Sequence, residues 1–297
     1  MKLGMIFEGG ACRSAFSAGV MDAFMDHDLY GDYLIGVSAG ACYMMSYASR
    51  QRGRNKELVV RYIPDRRYMG PKYLSQRRNR SYFNLEFIYD QIPNYYLPYD
   101  YKALQAFPGE VVAVVTNLQT GKAEYLPVPR KDKRSVLLRA TCALPLMFPP
   151  IEYCGNLYMD GGIADPIPVT HTLEDAGCDK AIVILTQDRR YIKAPEQALE
   201  IGKLRYRDYP AFVKALDERT MRYNGALARV RKYEEEGRAF VIAPKDSSGY
   251  HRLEQDPKVL EQWYNDGYQE AMERMDALRS FLKEEQDGTS AASLENG

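Results

Sequence analysis

After Lys2, apolar residues run unbroken to Phe7 in KLGMIF at residues 2 to 7, and the pattern predicts a short strand buried on both faces. A glycine turn follows. Phe16, Val20, Ala23 and Phe24 then recur at helical spacing through Asp26. The sequence repeats this unit: YLIGV at 33 to 37 reads as a second buried strand, and Gly36-Val37-Ser38-Ala39-Gly40 breaks it into a helix-compatible run up to Arg50. Further strands are expected at 110 to 116, 123 to 126, 180 to 186 and 238 to 243, with helical patterns between several of them. Such alternation predicts an α/β fold, a three-layer sandwich in which helices cover both faces of a mostly parallel central sheet.

Two stretches depart from the alternation. Residues 50 to 101 are rich in Arg and Tyr and punctuated by Pro64, Pro71, Pro93 and Pro98, and they read as an insertion or a lid within a catalytic part spanning 1 to 190. From 191 to 286 the chain reads as charged helices around the 238 to 243 strand, a largely helical C-terminal subdomain. Residues 287 to 297, DGTSAASLENG, are small and polar and are expected to be disordered.

Composition narrows the function classes. The 297 residues are 45% hydrophobic and 27% charged, ordinary globular values, and 40 basic residues balance 40 acidic ones. A formal net charge of zero removes the electrostatic case for a nucleic-acid binder. Cys12, Cys42, Cys142, Cys154 and Cys178 are odd in number and contain no CxxC pair, which points to neither a disulfide framework nor a metal site and fits a reducing compartment. The N-terminal apolar run is too short for a signal peptide, and no stretch approaches the roughly 18 apolar residues of a membrane span. A soluble, cytoplasmic protein is expected, with peripheral membrane contact left open.

Three short motifs carry chemistry. GVSAG at 36 to 40 matches the GxSxG elbow, in which a sharp strand-to-helix turn flanked by Gly36 and Gly40 exposes Ser38; the bland alternative is a helix-capping serine. EGGACRS at 8 to 14 also joins a strand to a helix and presents the N–H groups of Gly9, Gly10 and Ala11 at a helix N-terminus, where they suit an oxyanion. Its rival reading, a dinucleotide fingerprint, lacks the complete GxGxxG and the acidic residue after the second strand. DGGIADPIPV at 160 to 169 follows a hairpin-like segment, and Gly161 and Gly162 imply a backbone turn that aims Asp160 inward; alone, Asp-Gly is a common turn signal.

Together the three motifs resemble the patatin-like phospholipase family, in particular its bacterial, intracellular members, over roughly residues 2 to 186. The resemblance implies that Ser38 is a nucleophile, that Asp160 is the base of a Ser-Asp dyad, and that Gly9 and Gly10 lie in the oxyanion loop with Arg13 on its basic position. It also implies acyl-ester substrates, phospholipid or lysophospholipid, and no metal or organic cofactor. Pro166 and Pro168 fit the continuation of the Asp motif. The loop departs from the family in carrying Ala11 and Ser14 at glycine positions; a positive φ at Ala11 would cost about 1 kcal/mol.

Alternatives remain at this level. The order Ser38, Asp160, His251 is that of a Ser-His-Asp hydrolase, although His27, His171 and His251 all sit in settings that read as structural or solvated. A catalytically idle relative that binds lipid or a partner is a different class. Between Arg50 and Arg80 stand eleven basic residues against Glu57 and Asp65, interleaved with tyrosines, which reads either as a surface for anionic headgroups or as a solvated insertion balancing the acidic stretch 253 to 297. Oligomeric state is not legible.

Overall fold

The computed structural model describes residues 1–77, 79–195 and 198–283. Arg78 of the basic cluster and the tail at 287 to 297 lie outside the described residues. Among those described, eight strands form one sheet: β1 (Leu3–Phe7), β2 (Tyr33–Val37), β3 (Glu110–Asn117), β4 (Ala123–Pro127), β5 (Ile151–Tyr153), β6 (Asn156–Asp160), β7 (Lys180–Ile184) and β8 (Ala239–Ile242). Their order is β5-β6-β3-β2-β1-β7-β8, with β4 also on β3. The run β3-β2-β1-β7-β8 is parallel throughout, and β4, β5 and β6 pair antiparallel at one end.

Every residue of β1, β2 and β7 is buried, as expected of parallel strands covered on both faces. Alternate residues feed two separate cores. Met5 and Phe7 pack with Phe16, Phe24, Met44, Tyr47 and Trp263 on one face. Ile6, Ile35 and Val37 pack with Val183, Leu227 and Val230 on the other. Helices α1 (Ala15–Asp26), α2 (Ala39–Ala48) and α5 (Pro257–Glu273) belong to the first layer, α3 (Val136–Thr141) packs beside them, and α4 (Arg219–Glu235) covers the opposite face. This is the expected three-layer α/β sandwich with a largely helical C-terminal region.

That C-terminal region shares the sheet and the core. β8 extends the sheet from β7 in parallel register, Ala181 opposite Ala239 and Ile184 opposite Ile242. The hydroxyl of Tyr264 on α5 donates to Asp22 at 2.7 Å and that of Tyr268 to Asp26 at 2.9 Å, fastening α5 to α1. Asp22 is fully buried, and burial raises its pKa against the hydrogen bonds from Tyr264 and the Gly53 N–H.

The stretch 50 to 101 is irregular in a specific way. Leu58–Tyr62 and Phe87–Tyr96 are π-helical, and the latter contains Pro93. Its cations are largely engaged within the chain. Arg52 pairs with Asp26, Lys56 with Glu261, and Arg67 with Asp65, while the buried Arg54 donates to Ser46 and to the Leu97 and Pro98 carbonyls. The pair of Lys56 with Glu261 is one direct balance between the basic insertion and the acidic C-terminal stretch.

Candidate active site

The site forms where the register of β3 brings two chain segments end to end. β4 occupies one edge of β3 across Val112 to Thr116, so β2 and β6 must share the other. Along that edge Val37 of β2 stands opposite Val114, and Asp160 of β6 stands opposite Val115. The residue after Val37 therefore meets the last residue of β6. Ser38 Oγ donates to Asp160 Oδ2 at 2.7 Å, although 122 positions separate them in the chain.

Ser38 holds the elbow conformation that its motif predicts. Its φ of 53° and ψ of −129° lie outside the regions comfortable for a non-glycine residue, a strain of about 1–3 kcal/mol that the surroundings must hold. Close packing fixes the turn. A Cβ at Gly40 would stand 2.3 Å from the Phe7 carbonyl oxygen, and one at Gly36 would meet the backbone of Ala41 at 2.4 Å. The Ser38 N–H donates to Thr141 Oγ1 at 2.9 Å, and the Thr141 hydroxyl donates in turn to the Val114 carbonyl. Thr141 thus ties the elbow to β3, a role that no motif announces.

Asp160 is 2% exposed. Its Oδ1 accepts the Gly162 N–H at 2.8 Å, and its backbone carbonyl accepts the Thr116 hydroxyl at 2.8 Å. Burial raises its pKa, opposed by the positive charge of Arg219 and by the hydrogen bonds from Ser38 and Gly162. The carboxylate is thereby a stronger base than an ordinary aspartate. Neither Gly161 nor Gly162 takes positive φ, so the turn is less unusual than the glycine pair implies. What Gly161 provides is contact, since a Cβ there would fall 2.1 Å from the Val114 carbonyl oxygen.

The glycine loop lies against the serine. A Cβ at Gly9 would approach Ser38 Cβ to 2.8 Å. Gly10 is extended, Ala11 takes a left-handed φ of 50°, and Ala11–Ser14 forms a 3-10 turn leading into α1. The first N–H groups of such a turn have no partner within it and face outward from its start. Arg13 is buried beside Glu8, a carboxylate that sequence reasoning passed over. Glu8 Oε2 accepts the Thr186 N–H at 2.6 Å and Oε1 accepts the Tyr223 hydroxyl at 2.6 Å. Burial raises the Glu8 pKa, and Arg13 opposes the shift.

The histidines have other partners. His27 contacts Met272 and Arg279. His171 lies in the π-helical segment His171–Asp175, contacts Tyr33 and Asp175, and stacks on Tyr125 with ring centroids 3.5 Å apart. His251 is exposed in a loop.

Two chambers meet at Ser38. One is mainly apolar and walled by Leu58, Ile63, Phe83, Ile88, Leu138 and Phe148, so much of its wall comes from the 50 to 101 insertion. The other is lined by the ionisable side chains of Glu8, Arg13, Asp160, Lys193, Arg219 and Arg252. Ala11, Ser38 and Leu144 belong to both. The cations from 191 onward carry no motif, and nothing in their local sequence announces the second chamber. Among the described residues no helix is long and apolar enough to cross a membrane.

Comparison with known proteins bears on the family and the fold. The model of the patatin-like phospholipase family matches residues 5–173, more than half of the chain, and a model for a domain of unknown function, DUF6363, matches 209–283. The uncharacterized protein YjjU of Escherichia coli is 28% identical over 205 residues, covering 66% of this chain and 55% of that protein. The lysophospholipase NTE1 of Meyerozyma guilliermondii is 26% identical over 180 residues, covering 57% of this chain and 11% of that protein. The chain thus spans little more than half of the first relative and a small fraction of the second. Among solved structures, VipD from Legionella pneumophila shares the fold with a TM-score of 0.53 at 14% identity, over 93% of this chain and 67% of that one. The chain belongs to the patatin-like phospholipase family.

Proposed function

We propose that the chain is a serine hydrolase of lipid acyl esters, phospholipid or lysophospholipid, working through a Ser38-Asp160 dyad and an acyl-enzyme. The family supports lipid acyl hydrolysis in general, and the Meyerozyma relative, a lysophospholipase by name, points the same way. The observation that carries the finer reading is the 2.7 Å hydrogen bond from Ser38 Oγ to a buried carboxylate.

The acyl chain enters the apolar chamber and places the ester carbonyl at Ser38. Asp160 Oδ2 accepts the hydroxyl proton as Oγ attacks the carbonyl carbon. The N–H groups of Gly9, Gly10 and Ala11 stabilise the oxyanion of the tetrahedral intermediate, an effect worth about 3–4 kcal/mol per donor in other hydrolases. Collapse of the intermediate expels the alcohol, which takes the proton from Asp160 and leaves the acyl group on Ser38. Asp160 then accepts a proton from water, the resulting hydroxide attacks the acyl-enzyme, and Ser38 recovers its proton as the fatty acid leaves.

The test is hydrolysis of a monoacyl ester by four variants. Ser38→Ala and Asp160→Asn abolish turnover with the fold intact by circular dichroism, whereas His171→Ala and His251→Ala retain it. Turnover by Asp160→Asn, or its loss in either histidine variant, contradicts the dyad.

A further inference from the structure

The glycine loop is held from behind by side chains that no motif contains. Glu8 and Thr186 stand just past the ends of β1 and β7, neighbouring parallel strands with Phe7 opposite Ile184. The Glu8 N–H donates to the Ile184 carbonyl at 3.1 Å, and its carboxylate turns to the same segment, where Oε2 accepts the Thr186 N–H at 2.6 Å. The Thr186 hydroxyl shares its proton between the Gly9 carbonyl at 3.0 Å and Glu8 Oε2 at 3.1 Å. A Cβ at Gly10 would stand 2.8 Å from Thr186 Oγ1, so the loop rests directly on this side chain. Behind Glu8 stands α4, whose Tyr223 donates its hydroxyl to Glu8 Oε1 at 2.6 Å. All three side chains are buried, and the line of contacts from Tyr223 through Glu8 and Thr186 to Gly9 runs out of the stretch matched by DUF6363.

A trans peptide places its C=O and N–H on opposite sides. Fastening the Gly9 carbonyl to Thr186 therefore fixes the Gly10 N–H on the side away from it. The Arg13 N–H donates to the Gly10 carbonyl at 3.2 Å and does the same for the Ala11 N–H. Neither of these two N–H groups has a hydrogen-bond partner among the described residues. Gly9, Gly10 and Ala11 line the chamber that also holds Ser38 and Asp160. Donors fixed before the reaction cost no reorganisation when charge develops on a carbonyl oxygen, and a loop free to turn its peptides would lose that advantage.

We propose that Thr186, held by Glu8 and Tyr223, is a positioning residue for the oxyanion donors, and that the C-terminal region takes part in the reaction through this clamp. This rests on the hydrolase reading above. Thr186 acts through the peptide joining Gly9 to Gly10 and touches no substrate. The region matched by a domain of unknown function thereby acquires a role, because Tyr223 on α4 fixes the carboxylate that fixes Thr186.

The test compares two ligands with the same alkyl chain. A long-chain trifluoromethyl ketone reports the oxyanion: its carbonyl carbon bonds to Ser38 Oγ, the hydroxyl proton passes to Asp160, and the carbonyl oxygen becomes an alkoxide. A 1-alkyl-glycerophosphocholine, an ether with no carbonyl, reports chain binding alone. Thr186→Val replaces the hydroxyl with a methyl group of similar size. Its affinity for the ketone should fall at least about tenfold while that for the ether stays within about twofold, and kcat should fall with KM nearly unchanged. Thr186→Ser should restore most of the ketone affinity. Tyr223→Phe leaves Thr186 in place and should weaken the ketone about threefold. Affinities are read per folded chain, so a loss of native protein does not imitate the effect. Unchanged ketone affinity in Thr186→Val, equal losses for both ligands, or no recovery with serine overturns the proposal, and wild-type behaviour of Tyr223→Phe removes the C-terminal region from it. If Thr186→Val does not fold, Tyr223→Phe decides: a loss confined to the ketone supports the clamp, and no such loss overturns it. If wild type hydrolyses no ester and takes up no fluorophosphonate, the hydrolase reading has failed, and amide hydrogen exchange decides the clamp alone. Faster exchange at Gly10 and Ala11 in Thr186→Val than in wild type supports it, and unchanged exchange overturns it.

Discussion

The two sides of Ser38 are built by opposite means. On one side an irregular insertion supplies mostly aliphatic and aromatic side chains to the chamber wall, and on the other, strand ends and C-terminal loops crowd charged groups around Asp160. The difference teaches where the charge of this protein does its work. The conspicuous basic cluster, 50 to 80, spends much of its charge on Asp26, Asp65, Glu261 and backbone carbonyls. The cations beside Asp160 are instead scattered singly through the chain.

The largest effect belongs to Ser38, at the seam of the two chambers. Ser38→Ala removes the nucleophile and is expected to cut kcat by at least about 10⁴-fold on every ester, whatever its chain or headgroup. A smaller loss confined to one substrate class would mean that Ser38 serves one chamber only. Asp160→Asn is expected to cost about 10³-fold or more while sparing the fold, because the amide oxygen still accepts the Gly162 N–H and the amide nitrogen reaches Ser38 as a donor.

The same substitution separates chemistry from stability. Burial raises the folded-state pKa of Asp160 above its unfolded value, so ionising it costs more in the native protein. That penalty is present above the folded pKa and disappears below the unfolded one. Asp160→Asn should accordingly raise Tm at neutral pH and leave it unchanged in acid. In the native enzyme kcat/KM should fall on the acid side with an inflection above the ordinary aspartate value, because the base must be ionised. Thermal melts and a pH-rate profile check both statements.

Finer tests act on one part alone. Thr141→Val leaves the buried Ser38 N–H without its acceptor, a loss of about 1–3 kcal/mol that should lower kcat about tenfold with little change in substrate preference. Leu138→Trp fills part of the apolar chamber and should disfavour long acyl chains about threefold relative to short ones, leaving headgroup preference alone. A chain-length series measured on wild type and variant decides this, and a shift in headgroup preference would show that the chambers are not separate.

Much of this arrangement is legible in the residues. The unbroken apolar runs at 3 to 7 and 33 to 37 fit strands covered on both faces, and the glycines around Ser38 mark a turn packed too closely for side chains. The meeting of Ser38 with Asp160 follows from three motifs read together, because none of them alone states a register. Phe87–Tyr96 is harder to read, since Pro93 suggests a break, yet π-helical geometry accommodates it within a continuous helix. Thr141 and Glu8 depend on contacts made by distant strands. Lys193, Arg219 and Arg252 resemble any solvated cation until the sheet and α4 bring them to one chamber.

The central claim is that a carboxylate alone activates Ser38. Intact-protein mass spectrometry after exposure to a fluorophosphonate tests it directly. One adduct per chain on Ser38 in wild type, none in Ser38→Ala and a labelling rate at least about 10²-fold slower in Asp160→Asn are the predicted results. Labelling of Asp160→Asn at the wild-type rate, or an adduct on another residue, would contradict it.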